Sequence, residues 1–240
     1  MRYWGKNIHI SGEWINSSAD PNQNSLDRNP NAEAFEVEIQ NQFRLLSRNP
    51  VANAVLDGFQ TGSNSVTVRP LSKAAAKKAA SISVLEKDAD ETTLGSPASA
   101  GKGSPVNVWM NEDSVTLGGH QYRSKDTLLH ECFHALRQVR GRWKPTILVG
   151  WDNKEEMYAT MVTNTYCSTD NRDFDMRADH SKNFTRMTET DRAFASRFNS
   201  ELLDLRYTMS DVYYAIVRVK KGWNPIREYD ALLSAFGGIG

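Results

Sequence analysis

Residues 126–141 contain the pattern His-Glu-x-x-His, with His130 and His134 four positions apart. On an α-helix, residues at this spacing lie one above the other on the same face, so both imidazoles can reach one metal ion. Glu131 lies about a third of a turn round from His130, where its carboxylate can reach a water bound to that metal. The pattern therefore predicts two metal ligands and a general base on one helix.

The surrounding residues predict that this segment is a buried helix. Apolar side chains recur on most sides of it, at Leu128, Leu129, Cys132, Phe133, Leu136 and Val139. No proline interrupts the run, Gly141 follows as the expected stop, and Ser124 and Asp126 are suitable N-caps. Histidine and glutamate side chains in a buried helix need polar partners, and a metal ion supplies one.

A catalytic zinc site has three protein ligands and leaves the fourth position open for water, so a third ligand must lie elsewhere in the chain. One common class of zinc enzymes with this pattern continues it as His-x-x-Gly-x-x-His, which adds a third histidine ligand. Here Arg137 stands at the glycine position and Arg140 at the histidine position, which excludes that class. The other common class takes a glutamate from a following helix, and residues 151–166, with Asp152 or Asn153 as the cap, predict such a helix.

Two glutamates in the first turn of this second helix compete for the position of third ligand. Glu155 and Glu156 are adjacent, so they point to different sides of the helix. Glu155 shares its side with an apolar stripe that is expected to face the core, formed by Ala159, Val162 and Tyr166. Either acid is also a common first-turn residue that the helix dipole favours.

Residues 153–159 read Asn-x-x-Glu-x-Tyr-Ala, which resembles the helix that provides the third zinc ligand in anthrax lethal factor. The resemblance implies that Glu156 is the third ligand, with Glu155 as the alternative. Where lethal factor carries a further acid, this chain has Thr160. The residues that support the metal-binding histidines are therefore left unassigned.

A wider resemblance rests on three stretches: Leu-Leu-His-Glu-x-x-His-Ala at 128–135, the two-glutamate helix, and Arg-Ala-Asp-His at 177–180. Together they resemble the small zinc metallopeptidase domains of bacterial effectors and toxins, a family that includes proteases injected by type III secretion. The likeness covers about residues 105–180. It implies an α+β, zincin-like fold with a small mixed sheet, an active-site helix and a helical C-terminal part.

The same resemblance implies a zinc-dependent endopeptidase that acts as an effector or toxin and cleaves a protein in a target cell. Zn²⁺ would be held by His130, His134 and Glu156, and Glu131 would be the general base for a zinc-activated water. Three candidates for stabilising the transition state are His180, Arg177 and Tyr158. For Tyr158 the alternative is a packed core position, and for Arg177 and His180 it is a surface cluster with Asp179. The alternative functions are a zincin-like domain that binds a partner without catalysis, and a zinc hydrolase of a non-peptide amide.

The composition bears on partners and location. The chain has 240 residues with 29 basic and 29 acidic side chains, so its net charge of zero does not favour binding to nucleic acid or to a membrane. Two cysteines, Cys132 and Cys167, are too few for a disulfide framework. The first residues lack the apolar stretch of a cleaved signal. The resemblance implies a protein that is cytoplasmic before export and is secreted or injected without a cleaved signal. It also implies a protein substrate in the target cell and, as a further partner, a secretion apparatus or a cognate inhibitor protein.

Polar and loop-forming residues dominate positions 11–32. We therefore expect residues 1–31 to form a flexible lead-in and residues 32–240 to form a single zincin-like domain. Within it, the active-site core is expected at about residues 105–180, and C-terminal helices at residues 188–236.

Short alternating segments predict strands near the active-site helix. Residues 106–110 alternate apolar and polar side chains, and residues 115–117 are expected to pair with them. In zincin-like folds an edge strand upstream of the active-site helix binds the substrate backbone, so the substrate cleft is expected beside residues 106–110.

Overall fold

The computed structural model describes residues 1–18, 26–76, 81–85, 100–117, 120–180 and 184–237. These residues contain strands β1 Arg2–Trp4, β2 Ile8–Ile10, β3 Trp14–Asn16, β4 Leu26–Arg28, β5 Val66–Pro70, β6 Ser81–Leu85, β7 Val106–Met110, β8 Val115–Leu117 and β9 His120–Tyr122. They also contain helices α1 Ala32–Leu46, α2 Pro50–Gly58, α3 Lys73–Ala76, α4 Ser124–Val139, α5 Lys154–Thr169, α6 Asp191–Arg197, α7 Asn199–Thr208, α8 Ser210–Val217 and α9 Pro225–Gly237.

Five strands form one mixed sheet in the order β1-β2-β5-β7-β6. Strands β2, β5 and β7 run parallel, and the outer strands β1 and β6 are antiparallel to their neighbours. Valines alternate along the central strands, so that Val66, Val68, Val106 and Val108 are all fully buried. A small mixed sheet with helices is compatible with the α+β class that the sequence predicts.

Two predictions about strands are wrong. The expected lead-in does not include residues 1–10, because β1 and β2 belong to the main sheet and Ile8 and Ile10 are fully buried. Strand β8 pairs with β9 and not with β7. Strand β7 already has β5 on one side and β6 on the other, so the outer strand at this end of the sheet is β6.

Helix α4 lies at the centre of the fold, packed against β6, β7, α1, α2 and α5. The predicted caps are wrong, since the helix begins after Arg123 without a side-chain cap. Ser124 donates instead to the side chain of Gln42, and Asp126 binds the guanidinium of Arg172. The predicted burial is confirmed, because most of the helix has little or no exposed surface.

The predicted end of α4 at Gly141 is confirmed and has a clear backbone cause. Gly141 has φ +68°, and the N–H groups of Arg142 and Gly141 donate to the carbonyls of Arg137 at 2.7 Å and Gln138 at 3.0 Å. This is the Schellman arrangement, in which a left-handed residue closes the helix. A Cβ at Gly141 would also lie 2.6 Å from the backbone of Gly101, so two separate constraints favour glycine.

The C-terminal part is helical, as predicted. Its first two helices, α6 and α7, are separated at Phe198. Helix α8 packs against α2, and α9 packs against α6. The core cluster runs from Ile8 to Tyr229. Apart from the placement of residues 1–10, the expected division of the chain remains a prediction. In the described ranges, every helix is too short or too polar to span a bilayer.

Candidate metal centre

Two antiparallel helices bring the predicted ligands together. Helix α4 presents His130 and His134 one turn apart on the same face. Helix α5 begins at Lys154 because the side chain of Asn153, one of the two predicted caps, accepts a hydrogen bond from the N–H of Glu156 at 3.1 Å. The cap places Glu156 in the first turn of α5, facing the two histidines.

The three candidate ligand atoms form a nearly equilateral group, which we call the ligand triangle. The Nε2 atoms of His130 and His134 are 3.0 Å apart, and Glu156 Oε2 lies 3.1 Å from the first and 3.2 Å from the second. In a tetrahedral zinc site with bonds of about 2.0–2.1 Å, ligand atoms stand about 3.3 Å apart. The triangle therefore has the dimensions that such an ion requires, and these residues could hold a metal.

The charges at the ligand triangle suit a cation. Burial lowers the pKa of His130, which favours the neutral imidazole that binds metals. Burial also lowers the pKa of His134, but the charge of Glu156, its hydrogen bond and the charge of Glu131 outweigh this and raise the pKa to about 9. Burial opposes the charge of Glu156, yet His134 and the histidine hydrogen bonds hold its pKa well below the usual range. The site thus attracts positive charge, either a proton or a metal ion.

The residues around His134 are buried with it. Glu131 is 8% exposed, and its charge contributes to the raised pKa of His134, so its carboxylate acts on the ligand triangle electrostatically. Cys132 has no exposed surface, and burial raises the pKa of its thiol far above the ordinary value. A protonated thiol is a poor ligand, which agrees with the predicted role of Cys132 as a small buried apolar residue. The Trp143 indole packs against the His134 ring with centroids 5.5 Å apart.

Glu155 points away from the histidines. Arg137 donates to both of its carboxylate oxygens, at 2.6 and 3.0 Å, and the N–H of Lys144 donates to one of them at 2.7 Å. The carboxylate is fully buried. The geometry therefore favours Glu156 over Glu155 as the third ligand. From the sequence, Arg137 served only to exclude one class of zinc enzyme. Its contact with Glu155 joins residues 18 positions apart, and no local pattern predicts it.

His180 lies beside the ligand triangle. Its Nδ1 atom is 2.7 Å from Asp152 Oδ2 and its Nε2 atom is 3.2 Å from Glu156 Oε2, and its ring stacks on His130 with centroids 5.8 Å apart. Among the described residues, His180 is outside the group whose ligand atoms all lie within 4.8 Å of one another. It therefore lies next to the ligand triangle without being one of its three ligand atoms. The sequence predicted Asp152 only as a possible helix cap. Its contact with His180, 28 positions later, has no local signal.

The other two candidates for transition-state stabilisation have different surroundings. The backbone of Arg177 exchanges two hydrogen bonds with the Asn164 side chain, at 2.7 and 2.9 Å, and its guanidinium lies over the Tyr122 ring. The Tyr158 hydroxyl donates to the carbonyl of Glu201 at 2.9 Å, and the side chain is fully buried. Tyr158 therefore occupies a packed core position, the alternative given for it from the sequence. A role for Arg177 in stabilising the transition state remains a prediction.

Comparison with known proteins identifies the family. Residues 23–191 match the family model of Peptidase M91, which is described as an effector protein. The matched region includes α4, α5, the ligand triangle and His180. No curated protein matches the chain, and no solved structure matches it. The family match covers more than half of the chain and confirms the predicted relationship to bacterial effector metallopeptidases: the chain belongs to the Peptidase M91 family of effector proteins.

Proposed function

We propose that this effector peptidase is a zinc-dependent endopeptidase of the zincin type, with His130, His134 and Glu156 as its metal ligands. The observation that carries the proposal is the ligand triangle, with sides of 3.0, 3.1 and 3.2 Å. Two imidazole nitrogens and one carboxylate oxygen are a ligand set that suits Zn²⁺. Three protein ligands also leave a position for water, as catalytic zinc sites do.

Glu131 is the proposed general base. Zinc, when bound, supplies Lewis-acid chemistry by polarising a carbonyl oxygen and lowering the pKa of water to about 7. Glu131 takes a proton from the water that attacks the peptide carbonyl, and it gives that proton to the amine nitrogen as the C–N bond breaks. Its burial and the effect of its charge on His134 support this role, because they indicate a carboxylate within electrostatic reach of the ligand triangle.

His180 is the proposed group that stabilises the transition state. The Asp152 carboxylate, 2.7 Å from His180 Nδ1, fixes the orientation of the ring. In its protonated form His180 donates from both nitrogens, so Nε2 can donate to the oxyanion that forms on the substrate carbonyl. His180 Nε2 lies 3.2 Å from Glu156 Oε2, one of the proposed ligand atoms. This position beside the metal site supports a role in binding the oxyanion.

The biological setting follows from the family. An effector peptidase acts on a protein substrate, and we propose that this one is delivered by a secretion apparatus and cleaves its substrate inside a target cell. The cleft expected beside residues 106–110 is not available there, because β7 is paired on both sides. An extended substrate segment would instead add beside β6, the outer strand of the described sheet. A mixed sheet whose outer strand β6 packs against the active-site helix α4 supports a zincin-like fold.

The substitution Glu131→Gln tests the mechanism. It keeps the shape of the side chain but removes the base, so cleavage of a peptide library should fall by a factor of about 10²–10⁴ while zinc content stays unchanged. Glu36→Gln is a matched control, because Glu36 has the same 8% exposure and lies on α1. Full activity in Glu131→Gln would contradict the mechanism. A zinc-loaded wild type that cleaves no peptide would instead favour a partner-binding domain or a hydrolase of another amide.

A further inference from the structure

A fully buried ion pair joins α4 to α5 close to the ligand triangle. Arg137 donates from Nε to Glu155 Oε2 at 2.6 Å and from Nη2 to Glu155 Oε1 at 3.0 Å. Neither side chain has any exposed surface. The guanidinium carbon also lies 4.4 Å from the centroid of the Tyr158 ring. Two parallel hydrogen bonds between planar groups fix direction as well as distance.

Each member of the pair is close in sequence to a candidate ligand on its own helix. Arg137 follows His134 by less than one helical turn, and Glu155 immediately precedes Glu156. The same guanidinium and carboxylate each bind a backbone atom of the loop between the helices at 2.7 Å. Both helices and their connection are therefore held at one point beside the ligand triangle.

Stability alone is a weak explanation for this pair. The desolvation of two buried charges cancels much of their attraction, and apolar side chains of similar size often stabilise a core as well. What the pair adds is orientation. A glutamate carboxylate lies about 6 Å from the axis of its helix, so a rotation of about 10° moves it by about 1 Å. Metal–ligand distances tolerate only about 0.2 Å of error.

We propose that Arg137 and Glu155 are a positioning pair for the metal site. Their two hydrogen bonds set the rotation of α5 about its own axis relative to α4. That rotation holds Glu156 Oε2 at 3.1 and 3.2 Å from the two histidine nitrogens. The inference rests on the proposed zinc site, and it assigns to these residues the support of the ligands that the sequence left unassigned.

A second ion pair provides a matched control. Arg172, which follows α5, donates to both carboxylate oxygens of Asp126 in α4, at 2.7 and 2.9 Å. It joins the first turn of α4 to the residues that directly follow α5, and it is also largely buried, with 9% and 14% of the two side chains exposed. It lies at the opposite end of the helix pair, where α4 begins and α5 ends. Weakening it should loosen the same helix contact without rotating Glu156.

The experiment compares zinc affinity in Arg137→Met, Glu155→Gln, the double variant and Asp126→Asn. Affinity is measured by competition with a chelator, and the absorption spectrum of bound Co²⁺ reports the ligand geometry. Each single change at the positioning pair should weaken zinc binding about 10–100-fold and alter the spectrum. The double variant should bind zinc no more weakly than the single variant with the larger loss of affinity, because the two residues act as a unit. Asp126→Asn should keep the wild-type affinity and spectrum.

The possible failures are distinguishable. Glu155→Gln keeps the size of the side chain, so it carries the test if Arg137→Met does not fold. Wild-type zinc affinity in Glu155→Gln would overturn the positioning role and leave the zinc site intact. An equal loss of affinity in Asp126→Asn would also overturn it, since the effect would then reflect general loosening. A wild type that binds no zinc would overturn the proposed function, and with it this inference.

Discussion

The affinity of the site for zinc should rise with pH well above the range in which histidines ordinarily titrate. Burial lowers the pKa of His134, but the charge and hydrogen bond of Glu156 together with the charge of Glu131 raise it to about 9, against an ordinary value of 6.5. Metals bind the neutral imidazole. Zinc must therefore displace a proton from His134 at any pH below about 9.

The size of the effect follows from that pKa. With a pKa of about 9, protonation weakens apparent zinc binding by a factor of about 100 at pH 7 and of about 4 at pH 8.5. Affinity should thus rise about 25-fold between these two values. With an ordinary histidine pKa of about 6.5, the rise over the same interval would be only about 1.3-fold.

The assay is a zinc titration against a chelator whose own pH dependence is known, carried out at several values from pH 7 to pH 8.5. His130 does not contribute to the slope, since burial lowers its pKa and keeps it neutral in this range. An affinity that levels off above pH 7 would refute the argument. It would show that Glu156 and Glu131 do not hold a proton on His134 in the zinc-free protein.

Three further substitutions have distinct expected results. His180→Ala should lower kcat for peptide cleavage about 10²–10³-fold with zinc retained, because an oxyanion donor is lost; an unchanged kcat would remove His180 from the mechanism. Phe133→Ala should cost about 3–5 kcal/mol in urea unfolding, because the ring is fully buried in α4. Gly141→Ala should cost at least about 1–2 kcal/mol in the same assay, since φ is +68° and the new Cβ would lie 2.6 Å from Gly101. Wild-type unfolding midpoints would contradict the last two.

Local patterns predicted the parts of the site that lie within one helix. The His-Glu-x-x-His pattern, the apolar positions of α4 and the stop at Gly141 all depend on residues a few positions apart. The Asn153 cap of α5 is local in the same sense, and each of these features is present. The predicted helical C-terminal part rests on equally local periodicity.

Features that depend on distant contacts were not predictable in the same way. The apolar stripe placed Glu155 on the core side of α5, but no local pattern identified its partner, Arg137, which lies 18 residues earlier in the chain. Asp152 and His180 meet across 28 residues. Nothing in either segment signals those contacts.

Strand partners show the same limit. The alternation in residues 115–117 predicted a strand, but the choice of β9 over β7 depends on β6 occupying the outer edge. Strands β1 and β2 are short and precede a polar stretch, so their place in the sheet follows from parallel pairing of β2 with β5, more than 50 residues later. Loop-like composition near the N-terminus concealed that pairing.

The most direct test of the zinc-peptidase account is the zinc content of the purified protein, prepared without chelator, together with Glu131→Gln and Glu156→Ala. The account predicts one zinc per chain in the wild type and in Glu131→Gln, and loss of zinc in Glu156→Ala, because only the last substitution removes a ligand. A wild type without zinc, or a Glu156→Ala variant that retains it at wild-type affinity, would contradict the account.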